Sequence, residues 1–175
     1  MGNHLAIALL ALASPGAWQN YTDAGRTAYT EGRYEAAERQ FSASLREATE
    51  GRRLAVSLTN FAVTLQAVAR YSEAEPLYRR ALGIWERDQD DAEAAVAMHN
   101  LATLCRIRGE LGEAESLHRS ALATQERLFG PDHPGMAAGW NDLALVYKTQ
   151  GRPGEAEQLY RRVLRVATPQ HSGYA

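Results

Sequence analysis

The sequence predicts an all-α chain, a row of about four helix-turn-helix hairpins stacked into a solenoid. Three observations point there. Apolar residues recur at helical spacing along most of the chain. Glycine or another small residue interrupts the stripes where a turn between two helices is needed. One pattern also repeats. The alanines in the middle of the second helices, Ala37, Ala74, Ala114 and Ala156, stand 37, 40 and 42 residues apart. Self-similarity at such a period marks a stacked array, because one hairpin cannot bury its apolar face alone.

Taken in order, the chain opens with Leu5 to Ala13, nine consecutive apolar residues followed by Ser14-Pro15-Gly16. The length suits the apolar core of a secretory signal, and Ala11-Leu12-Ala13 fits its small-x-small cleavage pattern, although the basic start is missing. Residues 1–16 are read either as a signal-peptide-like leader of an exported or periplasmic protein, or as a disordered or packed N-terminal segment of a cytoplasmic one. Met1-Gly2-Asn3 begins like a myristoylation signal, but Ala6 stands where Ser or Thr is required.

The repeats then run over about 17–50, 52–88, 92–129 and 134–167, with a short polar tail at 168–175. The third is the clearest, with Met98 to Cys105 and Glu113 to Leu122 as two stripes around Gly109, closed by Gly130-Pro131-Asp132-His133-Pro134. Each first helix carries a small residue, Gly25, Ala62, Ala102 or Ala144, that lets its partner helix approach. Four residues after each central alanine comes a ring: Phe41, Tyr78, His118 or Tyr160. Gly32, Gly109 and Gly151 suit the left-handed conformation that ends a helix. Ala69 adopts it only at a cost of about 1 kcal/mol, which predicts a looser turn there. Ser72-x-x-Glu75 reads as a capping box with Pro76 near the first turn behind it. Asp90 and Asp132 read as N-caps of the third and fourth repeats. The first repeat departs most, with Ser44 in place of a small apolar residue.

Composition excludes several classes. The 175 residues, 45% of them hydrophobic, suffice for one domain with a core. Lys and Arg (19) and Asp and Glu (21) intermingle to a net charge of −2, with no basic block for nucleic acid. A single cysteine allows no internal disulfide and no thiol-based zinc cluster. No apolar run reaches the roughly 20 residues of a membrane span.

The alanine and ring columns, the Asn100-Leu101-Ala102 triplet, the Glu-Ala-Glu at 73–75, 113–115 and 155–157, the long period and the Gly-Pro-Asp-His-Pro turn at 130–134 together resemble the tetratricopeptide repeat. Within that family the pattern is similar to the kinesin-light-chain-like subclass, common in bacterial proteins without any motor. The resemblance covers Trp18 to Ala167. It implies a right-handed solenoid whose first helices line a concave face, and a protein or peptide partner lying along that face.

Helix spacing then names the lining residues. They are Gln19, Arg26 and Tyr29; Asn60, Val63 and Gln66; His99, Asn100, Thr103 and Arg106; and Asn141, Asp142, Leu145 and Lys148. An asparagine amide both donates and accepts, so it pairs with both polar groups of a peptide backbone. A structural role, bonding the neighbouring helix, is the other reading of the same residues. The family's clamp for a C-terminal carboxylate is not expected, since Thr22, Val96 and Asn100 replace its basic residues. Arg26, Arg106 and Lys148 make the groove mixed in charge and favour a peptide with acidic character.

Catalysis, metal binding and cofactors are not expected. His118 stands in the ring column, Cys105 at the packing position of Tyr147, and His133 in a turn. Glu75–Arg79, Glu115–Arg119 and Glu157–Arg161 read as helix-surface pairs worth a few tenths of a kcal/mol each. The expected function is a non-catalytic interaction scaffold. The alternative is a homo-oligomeric assembly subunit joined through the apolar edge of its last helix, around Leu159, Val163 and Leu164.

Overall fold

The computed structural model describes residues 16–167, so the leader-like stretch through Pro15 and the tail 168–175 lie outside the described residues. Among the described residues every regular element is helical: α1 (Ala17–Thr30), α2 (Tyr34–Glu47), α3 (Gly51–Ala67), α4 (Tyr71–Arg87), α5 (Asp91–Arg108), α6 (Leu111–Phe129), α7 (Ala137–Thr149) and α8 (Pro153–Ala167). A 3-10 turn, Pro134–Met136, leads into α7.

The turn inside each hairpin is the same backbone object. Gly32, Ala69, Gly109 and Gly151 all have positive φ, at 73°, 60°, 83° and 76°. In each, the N–H of this residue and of the next one bond back to the first helix, as in Ala69 to Gln66 O (3.0 Å) and Arg70 to Leu65 O (2.8 Å). This pairing satisfies carbonyls that a helix end otherwise leaves open. The looser turn expected at Ala69 is not found. Two carbonyl bonds and two packed helices hold the alanine in the strained conformation. Gln89 (φ 57°) ends α4 in the same way.

Two capping expectations, and with one of them the placement of Pro76, are corrected. Ser72 is not a cap, because α4 starts directly from the turn, with the Arg70 carbonyl accepting from the N–H groups of Glu73 and Ala74. Pro76 consequently lies in the second turn of α4, not the first. Before α7 it is His133, not Asp132, that caps, its Nδ1 accepting from the Gly135 N–H at 3.1 Å. Asp90 caps α5 as expected, through the Glu93 N–H.

Packing follows the repeat columns. Ala37, Ala62, Ala74, Ala102, Ala114, Ala144 and Ala156 are buried, as are Phe41, Tyr78 and His118. Tyr160 is half-buried, on the last described helix. Gly25 shows why the small column exists, since a Cβ there would lie 2.6 Å from the Phe41 ring. At the divergent first repeat, Ser44 joins a buried hydroxyl chain. The indole of Trp18 donates to Ser57 (2.9 Å), Ser57 meets Ser44 (2.7 Å) and Ser44 meets Thr22 (2.9 Å). A buried hydroxyl needs a partner, and this chain supplies one to each.

The backbones of the odd-numbered helices approach one another in series, α1 to α3 to α5 to α7, whereas those of the even-numbered helices stand further apart. The odd helices therefore form the inner wall and the even helices the outer one. Arginines tie successive hairpins on the outside: Arg70 to Glu38 (2.7 Å), Arg108 to Glu75, Arg79 to Glu113 (2.8 Å) and Arg152 to Glu115 (2.7 Å). The helix-surface pairs read from the sequence are present, but Glu75 and Glu115 also reach across to the next hairpin. Hydrogen bonding to Arg79, with Arg108 adding its charge, holds the Glu75 carboxyl below its ordinary range.

Candidate interaction surface

The inner wall is built from the exposed edges of α1, α3, α5 and α7, because their opposite faces carry the small residues that pack on the outer helices. Two positions before each small residue stand Asp23, Asn60, Asn100 and Asp142, one after it Arg26, Val63, Thr103 and Leu145, and four after it Tyr29, Gln66, Arg106 and Lys148.

These residues divide into groups already engaged and groups left open. The Gln66 side-chain oxygen accepts from the Tyr78 hydroxyl at 3.0 Å, which ties it to its own hairpin. Thr103 donates to the His99 carbonyl at 3.0 Å. Gln19 holds the Asp23 carboxylate at 2.9 and 3.0 Å. By contrast, the side-chain amides of Asn60, Asn100 and Asn141 make no hydrogen bond among the described residues, and none of them is a buried orphan. They therefore reach solvent from the wall.

His99 turns inward. Its Nδ1 lies 2.9 Å from Nδ1 of His118 and its Nε2 lies 3.1 Å from the Gln125 oxygen. Gly139 makes room for the ring, since a Cβ there would stand 2.6 Å from it. With the Gln125 oxygen accepting, His99 Nε2 carries the proton, His99 Nδ1 is bare, and His118 Nδ1 donates to it. His118 Nε2 is then a bare nitrogen, buried and without a partner among the described residues. Burial drives His118 down to about 3, with the charges of His99 and Arg106 adding to it. Burial also lowers His99. Asp142, half-buried beside them, is pushed up by burial against the pull of His99 and Arg106. The sequence placed the two histidines on one hairpin but carried no signal for their contact beyond the glycine opposite.

At the first-hairpin end the wall opens into a cavity of about 180 Å³, lined by Arg26, Tyr29, Thr30, Phe41, Asn60 and Val63. Arg26, Tyr29, Asn60 and Val63 were named from helix spacing. Phe41 was assigned wholly to packing and also lines the cavity. Elsewhere, Cys105, Glu110 and Glu113 offer ligand atoms within 4.8 Å of one another. The thiol is buried, and burial pushes it up to about 12, so it stays protonated.

Family models for the tetratricopeptide repeat match residues 93–168 and 54–87. The chain belongs to the tetratricopeptide-repeat family. These repeats share their fold with solved structures. BtubC (BKLC) from P. vanneervenii is 22% identical, with TM-score 0.77 over 90% of this chain and 65% of that one. A putative kinesin light chain from Podosopora anserina is 21% identical, with TM-score 0.76 over 87% and 75%. YrrB, a tetratricopeptide-repeat protein with an unusual peptide-binding site, is 19% identical, with TM-score 0.64 over 90% and 72%. At these identities the likeness is one of fold, a helical solenoid. The chain spans about two thirds of BtubC's length. No curated protein sequence matches it. Among the described residues of this repeat array no helix is long and apolar enough to cross a membrane.

Proposed function

We propose that this repeat array is a non-catalytic interaction module that holds an extended segment of a partner protein along its inner wall. The observation that carries this reading is the contrast between the two faces. Outside, arginines and glutamates pair across hairpins. Inside, the amides of Asn60, Asn100 and Asn141 have no partner among the described residues, and such amides match the donors and acceptors of an extended backbone. YrrB supports the reading as a peptide binder of the same fold. The affinity expected for one short segment is micromolar, about −8 kcal/mol.

The test is selection from a displayed library of random dodecapeptides, followed by titration of the selected peptides with wild-type protein and the Asn60→Ala/Asn100→Ala double variant. A tenfold or larger loss in the double variant is expected. Selected peptides that bind both proteins alike would place recognition elsewhere.

A second reading, head-to-tail self-association, rests on the outer ladder. Glu157 occupies the position of Glu38, Glu75 and Glu115, yet among the described residues it pairs only with Arg161 of its own helix. Arg33 occupies the position of Arg70 and Arg152, yet among the described residues it pairs only with Glu31. Sedimentation showing mass that rises with concentration and falls on Glu157→Arg would favour it. A concentration-independent monomer would remove it.

A further inference from the structure

We propose that the cleft between α6 and α8 on the outer face, closed beneath by α7, binds one free apolar amino acid, with Arg119 and Arg162 taking its carboxylate and Glu126 its ammonium group. The site lies away from the inner wall and does not rest on the reading given to that wall.

The cleft opens where the two outer helices stand apart and α7 packs beneath them. Its volume is about 300 Å³, at the lower end of the range for small-molecule sites. It therefore suits one compact molecule and not a stretch of chain. Trp140 and Leu143 of α7 form its floor, with Met136 from the turn before that helix. Leu122 of α6 and Leu159 of α8 form the sides. Ala123 lines it with no more than a methyl, which leaves the space that a longer side chain on α6 would fill. An apolar body seated here exchanges water for apolar contact, and that gain is the main source of affinity.

The rim is charged and carries both signs. Arg119 and Glu126 lie on one side of α6, and Arg162 lies across from them on α8. Two contacts hold Arg162 in place. Its guanidinium sits 4.4 Å from the centre of the Trp140 ring and donates to the Pro131 carbonyl at 2.9 Å. Its approach to Glu126, at 3.8 Å, is too long for a hydrogen bond. Arg119 is held loosely as well. Its ion pair is with Glu115 at 3.4 Å, and Glu115 already accepts from Arg152 at 2.7 Å and from Gln150 at 3.0 Å. A guanidinium has five donors, so both arginines keep N–H groups for a carboxylate. Glu126 has no ion pair among the described residues besides the long one to Arg162.

Charge balance then selects among ligands. A simple anion would meet two guanidiniums but also the Glu126 carboxylate. A simple amine would meet one carboxylate and two cations. An α-amino acid presents both signs on one carbon, and Glu126 and Arg162 are close enough together for adjacent groups of one ligand to meet both. Only the zwitterion leaves no like charges opposed.

The probe is L-phenylalanine, titrated calorimetrically into the full chain. Saturable binding is expected, with a Kd of about 1 mM or tighter. Glycine lacks the apolar body, 3-phenylpropionate the amine and phenethylamine the carboxylate, and each should bind at least fivefold more weakly. Glu126→Gln should weaken phenylalanine at least fivefold and leave 3-phenylpropionate unchanged or tighter. Arg119→Gln should weaken both of these ligands. Ala123→Leu, at an exposed position of α6, fills the cleft and should abolish binding, with circular dichroism confirming that the variant remains helical. Failure of phenylalanine, leucine and methionine all to bind would overturn the proposal. So would 3-phenylpropionate or phenethylamine binding as tightly as phenylalanine, or binding that survives Ala123→Leu. Peptides selected for the inner wall should bind Ala123→Leu as they bind wild type, so that either site can fail without the other.

Discussion

Ala69→Gly is expected to stabilise the protein. Among the four hairpin turns only this one closes on a residue with a Cβ in the left-handed region, at φ 60°. An L-residue there carries roughly 1–2 kcal/mol of steric cost that glycine does not. Ala69 is exposed, so removing its methyl forfeits little buried surface. Its N–H bond to Gln66 and the following bond from Arg70 are backbone bonds that glycine keeps. Against the gain stands the greater freedom of glycine in the unfolded chain, about 0.4–1 kcal/mol. The net expectation is about 0.5–1 kcal/mol, or a rise of roughly 1–4 °C in Tm for a chain of this size.

The mirror experiment is Gly109→Ala. A Cβ at Gly109 would meet nothing within 4 Å, so its whole cost is conformational, and a loss of similar or larger size is expected. Thermal melts by circular dichroism at one pH, with the two variants and their combination, give the answer. A combination close to wild type would show the two turns to be equivalent and independent. An Ala69→Gly variant that melts below wild type would refute the claim that the alanine is strained into a turn better suited to glycine.

Three further expectations follow from the packing. Tyr78→Ala removes a buried ring and its hydrogen bond to Gln66, and should cost about 3–5 kcal/mol in urea denaturation. Gly25→Ala forces a methyl to 2.6 Å from the Phe41 ring, and overpacking of about 1–3 kcal/mol should outweigh the roughly 1 kcal/mol regained in helix propensity. His99 and His118 are both held neutral in the folded state, below the ordinary value of 6.5. The unfolded chain therefore binds protons first, and stability present above pH 6.5 falls as the pH drops, for His118 down toward about 3 by up to roughly 1.4 kcal/mol per pH unit, with His99 adding in the same direction. His118→Phe, which matches Phe41 in the same column, should flatten the slope measured between pH 6.5 and 5.

Much of this architecture was legible in the sequence because helical repeats write their packing as columns. Ala74 and Ala114 were placed by a spacing that only one arrangement of stacked hairpins satisfies. The turns were legible wherever a glycine marked them and misjudged at Ala69, because propensity is a weak prior once two packed helices fix the geometry. The capping box at Ser72 failed for a related reason. A helix entered directly from a closed turn already has carbonyls for its first N–H groups, so no side chain is required. On the inner wall, helix spacing named Arg26, Tyr29, Asn60 and Val63, which line the cavity, but not Phe41, which belongs to an outer helix and was read as packing alone. The contact between His99 and His118, like the arginine bridges between hairpins, depends on rotamers and relative rise, which no spacing rule contains.

The distribution of satisfied and unsatisfied polar groups connects the fold to its use. A solenoid needs cohesion between successive hairpins, and here polar cohesion sits outside, where Arg70, Arg108 and Arg152 each bridge to a glutamate of the preceding hairpin. Exposed pairs of this kind contribute little individually, about 0–1 kcal/mol each, so they do not hold the array together against the buried alanine and ring columns. Their effect is on register, since each guanidinium is held by a glutamate of its own hairpin and bridges to one glutamate a hairpin back. Fixing register from outside leaves the inner residues unneeded for stability. That is why Asn60, Asn100 and Arg26 stand on the wall without partners among the described residues, at little cost while water reaches them. Desolvating them under a partner that failed to match them would cost about 1–3 kcal/mol for each group left unpaired. The same open groups that make the wall receptive thus make it selective: a segment without the complementary backbone and carboxylates is rejected by the penalty, and not merely left unrewarded.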